Sequence, residues 1–213
     1  MHLSELVALF ARTFVIGIAV AAPVGAMGVL CIQRTLESGW RSGMATGLGI
    51  ATADGIYAGV AAFGVSALAA SLVAWQVPLR IVGGVVLVAL GVRAALQPPS
   101  AGVAAAPLEL DGRQAARLYS SAVGLTLTNP MTIMAFGAIF ASAGLGSQPT
   151  PASAVVATLG VAAGSLSWWT ALVSAVALTR HQVKPRTLVT LNRVSGAVIV
   201  VFGLVALGSA VFS

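Results

Sequence analysis

Six long runs of apolar residues dominate this sequence, and they constrain its fold more than any other feature. A helix that crosses a lipid bilayer needs about 20 mostly apolar residues to span about 30 Å of hydrocarbon. Each run should be helical, because hydrocarbon offers no hydrogen-bond partner to a free backbone N–H or C=O group. The runs cover approximately residues 13–32, 43–70, 80–96, 118–143, 152–178 and 194–212, and the third is short.

The composition leaves little room for a water-soluble fold. Of the 213 residues, 58% are hydrophobic and only 8% are charged, whereas soluble domains carry roughly 25% charged residues. Intrinsic disorder requires low hydrophobicity and is excluded by the same numbers. A single cysteine, Cys31, excludes a disulfide framework. The sequence therefore predicts an all-α integral membrane protein, with residues 1–213 forming a single membrane domain.

The basic residues indicate orientation and not nucleic-acid binding. The net charge is +6, but the arginines lie between apolar runs and do not form one basic face. With six spans, nine of the eleven Lys and Arg residues fall on the side opposite the termini. The more positive side of a membrane protein stays in the cytoplasm. Both termini are therefore predicted to face outward, and the polar connector 97–117 is predicted to be a cytoplasmic loop.

Two of the runs carry the same spacing of glycine and proline. Gly17 is followed six residues later by Pro23, and Gly124 is followed six residues later by Pro130. A proline removes a backbone donor and frees a carbonyl in the preceding turn, so the two prolines either bind solute in a wet cavity or only kink their helices. Matched broken helices in two halves of three spans each predict two inverted repeats around a transport site. The halves are residues 1–96 and 118–213.

Small residues recur every four positions in the second run. The series is Gly43, Gly47, Ala51, Gly55 and Gly59. Such a strip lets two membrane helices approach closely. The fifth run repeats the spacing at 160 and 164. Tight helix packing is the prediction for both segments.

Asp54 is the one acidic residue well inside an apolar run. A carboxylate at the centre of a membrane helix costs roughly 2.5–3.5 kcal/mol on insertion scales. It therefore serves either a wet pathway or a proton relay, or it is a structural acid that is hydrogen-bonded to a neighbouring helix. Burial disfavours the charged form of a carboxyl, so our hypothesis assigns proton coupling to Asp54.

Polar side chains also precede the second proline. Thr126, Thr128 and Asn129 either offer hydrogen bonds to a solute or satisfy the carbonyls that Pro130 leaves free. Trp168 and Trp169, in the fifth run, either line a cavity or pack in the core. The predicted solute-binding set is Pro23, Gly25, Asp54, Thr128, Asn129 and Pro130.

Motifs for chemistry are absent from the sequence. It holds no G-x-x-x-x-G-K-[ST] phosphate loop and no G-x-S-x-G nucleophile elbow. One cysteine and two histidines do not make a transition-metal cluster, and a lone thiol does not cycle to a disulfide. We expect no enzyme activity, no cofactor and no metal. A transporter, a non-transporting membrane subunit and a sensor stay open.

Several stretches resemble the lysine-exporter superfamily of bacterial amino-acid exporters, the LysE/RhtB type. The stretches are Ala22-Pro23-Val24-Gly25-Ala26-Met27-Gly28, the arginine-containing loop 34–41, Gly47 to Asp54, and Thr128-Asn129-Pro130-Met131. The resemblance implies export of amino acids or related small solutes across the bacterial inner membrane. It also implies proton-coupled alternating access and homo-oligomers.

One departure from the family pattern concerns the solute. Members with assigned amino-acid substrates often read Pro-Gly-Pro in the first span, whereas this chain reads Pro23-Val24-Gly25. The identity of the solute is therefore left open, and the alternatives are a solute that is not an amino acid, or a cation.

Overall fold

The described part of the chain is helical and contains no strand. The computed structural model describes residues 2–23, 25–63, 76–96, 110–129, 132, 136, 150–179 and 185–211. Its helices are α1 (Leu3–Ala21), α2 (Ala26–Ser38), α3 (Trp40–Ala62), α4 (Gln76–Leu96), α5 (Gly112–Thr128), α6 (Pro151–Thr179) and α7 (Pro185–Val211). The predicted helical class is confirmed over these residues.

The helices extend beyond most of the predicted apolar runs. The α6 helix matches the fifth run within one residue at each end, whereas α1 begins ten residues before the first run and α7 nine before the sixth. By length and hydropathy, α1 and α6 are each able to cross a membrane, and shorter apolar helical stretches cover Ile81–Arg93 and Arg193–Val205. The distal parts of the second and fourth runs lie outside the described residues.

The segment 34–41, predicted to be a loop, is helical except at Gly39, and that prediction is wrong; the connector 97–117 is helical from Gly112, and its residues 97–109 lie outside the described residues. Arg34 lies within α2, and only Gly39 separates α2 from α3. Gly39 has a φ of 87°, a conformation that favours glycine. In the connector, α5 already begins at Gly112, where the Asp111 carboxylate accepts a hydrogen bond from the Gln114 backbone N–H at 2.6 Å. Hydropathy marks where a helix meets lipid, not where its hydrogen bonding begins.

The first apolar run is interrupted at the predicted proline. The last backbone hydrogen bond before the break joins the Ala22 N–H to the Ile18 carbonyl at 2.8 Å. Pro23 has no N–H to continue this pattern, and α2 starts again with Val29 donating to the Gly25 carbonyl at 3.0 Å. The first run is thus divided into two helices, α1 and α2, with the break between Ala22 and Gly25.

The α5 helix ends in the same sequence context. Asn129 is extended, with φ −75° and ψ 115°. A residue that precedes proline is driven out of the helical region by contact with the proline ring, and residue 130 is a proline. Pro130 itself lies outside the described residues.

Glycines bring α3 and α6 into close contact. A Cβ atom at Gly47 would lie 2.8 Å from Cβ of Trp169, and one at Gly55 would lie 3.2 Å from Cβ of Ala162. The tight packing predicted for this strip is therefore confirmed, with α6 as the partner. Gly160 and Gly164 of α6 instead face α1, Gly160 at the Thr13 side chain and Gly164 at the Phe14 carbonyl. In addition, α3 packs against α5.

The α4 and α7 helices approach through two pairs of glycines. A Cβ atom at Gly91 would lie 2.6 Å from the Gly196 carbonyl oxygen, and one at Gly203 would lie 2.8 Å from the Gly84 carbonyl oxygen. Backbone lies against backbone at both crossings. No larger side chain fits at these positions without moving the helices apart.

Large apolar side chains are exposed on several helices. On a soluble monomer, extensive exposed apolar patches are uncommon, but lipid is the favourable neighbour for such a surface. The examples with more than half of the side chain exposed include Leu3, Val7, Val15, Val82, Val85, Leu159, Leu178, Val194, Val201, Leu204 and Val205.

Candidate functional site

A cavity of about 200 Å³ lies where the two helix breaks meet α3, α6 and α7. Four of the six predicted site residues line it, namely Pro23, Gly25, Asp54 and Asn129. The other lining residues are Val20, Ala21, Met27, Gly28, Ile50, Thr132, Trp169 and Phe202. The structure therefore brings together residues that are distant in the sequence.

The break in the first apolar run forms one wall. Pro23 is exposed, and Gly25 is the residue that caps the N-terminus of α2. Gly25 is extended, with φ −111° and ψ −164°, so its backbone conformation is open to any residue. A Cβ atom at Gly25 would meet no other heavy atom within 4 Å. The first turn of α2 continues the wall with Met27 and Gly28.

Asp54 supplies the acidic group of the cavity. Its side chain is 3% exposed, and its Oδ2 atom accepts a hydrogen bond of 2.6 Å from the Ser165 hydroxyl on α6. The close approach of α3 and α6 makes this contact possible, because Gly55 next to Asp54 leaves space for Ala162. The carboxyl is thus held in a poorly hydrated wall with a single described hydrogen-bond donor.

Asn129 and Thr128 have different surroundings although they are adjacent. Asn129 is buried and lines the cavity. The Thr128 hydroxyl donates to the carbonyls of Gly124 and Leu125 at 2.9 and 3.2 Å, and its side chain contacts Gly83 of α4. In this conformation Thr128 satisfies carbonyls of its own helix and is not part of the cavity wall. Its role in solute binding stays a prediction.

Trp169 combines the two roles that the sequence left open. It is 3% exposed, packs over Gly47 and also lines the cavity. Its indole N–H has no hydrogen-bond partner among the residues described here. Buried donors are nearly always paired in folded proteins. An indole N–H without a protein partner at a cavity is therefore a candidate contact for a bound solute.

Sequence reasoning missed Ser165, the partner of Asp54. The signal was present, because Ser165 follows Gly164 in the fifth run, where a polar residue adjoins a small-residue strip. What the sequence did not contain was the register of α3 against α6. That register places residue 165 opposite residue 54.

Tyr57 ties the helix of Asp54 to the second break. Its hydroxyl donates to the Leu127 carbonyl at 2.6 Å, near the end of α5. The ring stacks on Phe136 with 5.3 Å between the ring centroids. Because Tyr57 is one turn from Asp54 on α3, this contact fixes the acid relative to Asn129.

The chemistry available in the cavity is that of binding. Its polar lining residues are Asp54, Asn129, Thr132 and Trp169, and apolar side chains such as Ile50 and Phe202 complete the wall. No group of three or more His, Cys, Asp or Glu side chains that would hold a metal occurs within the described ranges. The arrangement suits reversible contact with a small polar solute.

The profile of the LysE type translocators matches residues 18–209, which is most of the chain. The chain belongs to this family. The resemblance inferred from the motifs is thereby confirmed. This LysE-type translocator is a membrane protein from a family of transporters, which move small solutes and are not enzymes.

One relative is a membrane protein of Escherichia coli (strain K12), the uncharacterized protein YahN. This translocator is 29% identical to it over 183 residues, which cover 84% of this chain and 80% of the relative. No solved structure matches the chain.

Proposed function

We propose that this LysE-type translocator exports amino acids or related small solutes across the bacterial inner membrane, with protons as the coupling ion. The observation that carries the proposal is the cavity in which Asp54 faces two helix breaks. Broken membrane helices expose backbone groups only where these line a cavity. A buried ionisable residue in the same wall is typical of a transport pathway.

The proposed architecture is six spans in two inverted repeats of three, with α1 and α2 together forming the first span. Helix contacts support it, since α1 packs on α6 while α3 packs on α5. An inversion that exchanges the first and fourth spans also exchanges the second and fifth, so these two contacts are equivalent. The third and sixth spans repeat a glycine spacing of seven, at Gly84 and Gly91 in α4 and at Gly196 and Gly203 in α7.

The proposed solute contacts lie on both sides of the cavity. The first turn of a helix presents unpaired N–H groups and the positive end of the helix dipole. At α2, these groups begin beside Gly25, so they suit the carboxylate of an amino acid. Asn129 and the indole N–H of Trp169 supply further polar contacts. Pro130 and Thr128 remain proposed members of the site.

Asp54 is proposed to carry the proton. A buried carboxyl changes charge when it gains or loses a proton, and a solute ammonium favours the charged form. Binding of solute and binding of a proton then exclude one another, which is the requirement for antiport. The same geometry makes a cation exporter the second candidate, since Asp54 would serve as the counter-ion of such a solute.

Efflux from proteoliposomes tests the proposal. Vesicles of purified protein, loaded with a mixture of radiolabelled amino acids, should release label faster when a pH gradient is imposed. Asp54→Asn keeps the shape of the side chain and removes its titration. We expect this variant to fold, but its gradient-driven efflux rate should fall at least tenfold.

The matched control is Asp111→Asn, which changes an exposed acid that caps α5 outside the cavity. Asparagine is an equally good capping residue, so efflux should stay at the wild-type rate. Wild-type gradient-driven efflux in Asp54→Asn would remove the coupling role. Lack of efflux of every amino acid, together with efflux of a cation, would favour the second candidate.

A further inference from the structure

A second cavity, of about 260 Å³, lies beyond the first along α2. It is bounded by the C-terminal half of α2, the end of α4 and the start of α5. Gln33, Arg34, Glu37 and Arg93 line it together with leucine side chains. None of these residues belongs to the first cavity, and the proposed transport function uses none of them.

Arg34 is held in place by three hydrogen bonds. One terminal nitrogen, Nη1, donates to the Thr46 hydroxyl at 3.1 Å and to the Leu118 carbonyl at 3.2 Å. The other, Nη2, donates to the Ser121 hydroxyl at 3.0 Å. All three acceptors are neutral, so these bonds fix the guanidinium without neutralising its charge. The Nε–H and the second Nη2–H are not used by these bonds, since a guanidinium has five donors.

The cavity carries more positive than negative charge. Arg34 and Arg93 each contribute a positive charge, and among the described residues of the lining Glu37 is the one acidic side chain. Glu37 also accepts a hydrogen bond from the Gln33 amide at 3.1 Å. Guanidinium groups match the planar geometry of carboxylates and bind them through paired N–H donors. A partly buried cavity with two guanidinium groups is therefore suited to a carboxylate.

We propose that this second cavity is a binding site for the carboxylate of a small organic acid or amino acid, with Arg34 and Arg93 as its contacts. The proposal rests on the proposed export function only for its place in transport. Gly28 of the first cavity and Arg34 of the second are six residues apart on one helix, about 9 Å at 1.5 Å per residue. A solute held at Arg34 thus lies close to the first cavity, which contains Asp54.

Binding of benzoate to the purified protein tests the site, with benzamide as the neutral probe of the same shape. Saturation-transfer NMR should show benzoate bound and benzamide unbound. Arg93→Gln should weaken benzoate binding at least fivefold and leave the melting temperature unchanged, because Arg93 is exposed and the described residues give it no hydrogen bond. Arg113→Gln, which removes an exposed arginine outside the cavity, should leave the affinity unchanged.

Arg34→Gln should weaken benzoate binding further, but it also removes contacts that hold three helices together. If Arg34→Gln fails to fold, the benzoate affinity of Arg93→Gln decides the test. Equal benzoate affinity in Arg93→Gln, Arg113→Gln and wild type would overturn the proposal. Equal binding of benzamide and benzoate would also overturn it.

Asp54→Asn separates this site from the first cavity. Benzoate binding should survive this change, because Asp54 does not line the second cavity. Loss of benzoate binding in Asp54→Asn would show that the binding depends on the first cavity and would overturn the proposal. Efflux without benzoate binding would support the proposed function and overturn the second site. Benzoate binding without efflux would support the second site and overturn the proposed function.

Discussion

The α3–α6 and α4–α7 helix pairs both approach closely through glycine, but the two crossings bring different groups together. At the crossing of α3 and α6, Asp54 accepts a 2.6 Å hydrogen bond from Ser165, and Trp169 packs over Gly47. At the crossing of α4 and α7, glycine carbonyls lie against glycine Cα positions, with Leu87 and Ile199 in the nearby core.

This difference shows that a small-residue strip indicates packing and not a site. Close packing of membrane helices is favourable for either pair, because small residues allow extensive van der Waals contact. An acid inside such a crossing has a cost, since burying a polar group is unfavourable unless it is hydrogen-bonded. At the α3–α6 crossing, the Ser165 hydrogen bond offsets part of the cost of burying Asp54, and Asp54 lines the cavity there.

The largest expected effect is a loss of stability at the α4–α7 crossing. Gly91→Ala places a Cβ atom 2.6 Å from the Gly196 carbonyl oxygen, so the helices must separate. We expect destabilisation of at least about 2 kcal/mol, within the range for overpacked interiors, measured as a lower melting temperature in detergent. The control is Gly208→Ala on α7, where a Cβ atom meets nothing within 4 Å. Equal melting temperatures of both variants would show that the α4–α7 glycines are not required for packing.

The second effect concerns the polar contact. Ser165→Ala removes the donor that stabilises the charged Asp54 carboxylate, so the pH of half-maximal efflux should rise. A hydrogen bond to a charged group contributes about 1.5 kcal/mol, and this corresponds to about one pH unit.

The control for that change is Ser167→Ala, also on α6, whose hydroxyl is exposed and bonded within its own helix to the Ala163 carbonyl. Its pH profile should match that of the wild type. An unchanged profile in Ser165→Ala would make the contact structural, and the two helix crossings would then differ in packing alone.

The smallest effect is expected at Trp169. Trp169→Phe keeps a ring over Gly47 and removes the indole N–H. If the indole binds solute, the KM for efflux should rise roughly fivefold, because one hydrogen bond contributes about 1 kcal/mol, while the melting temperature stays unchanged. Trp168→Phe changes the neighbouring indole, which does not line the cavity, and should leave KM at its wild-type value. Equal KM values in the two variants would assign Trp169 to packing.

Local chemistry in the sequence predicted the helical class and much of the cavity. Pro23 interrupts its helix because proline has no backbone N–H to donate. Asp54 stands out because an acid in an apolar run has a free-energy cost of burial. The extended Asn129 follows from its position before a proline. These features depend on neighbouring residues in the chain, so they are readable without a partner helix.

Features that depend on the register between helices were not predictable. Ser165 is a site residue only because α6 meets α3 with residue 165 opposite residue 54. Arg34 was predicted to lie in a loop, since its charge was read as an orientation signal. Its acceptors come from α3 and α5, at positions 46, 118 and 121, and no local pattern connects them.

Gly25 shows how a missing side chain leaves room in the wall of the cavity. Its backbone is extended and the space beside it is empty of protein atoms within 4 Å, so neither strain nor crowding requires glycine there. The space that a methyl group would occupy borders the cavity. A larger side chain at residue 25 would therefore fill part of the cavity without requiring the helices to move.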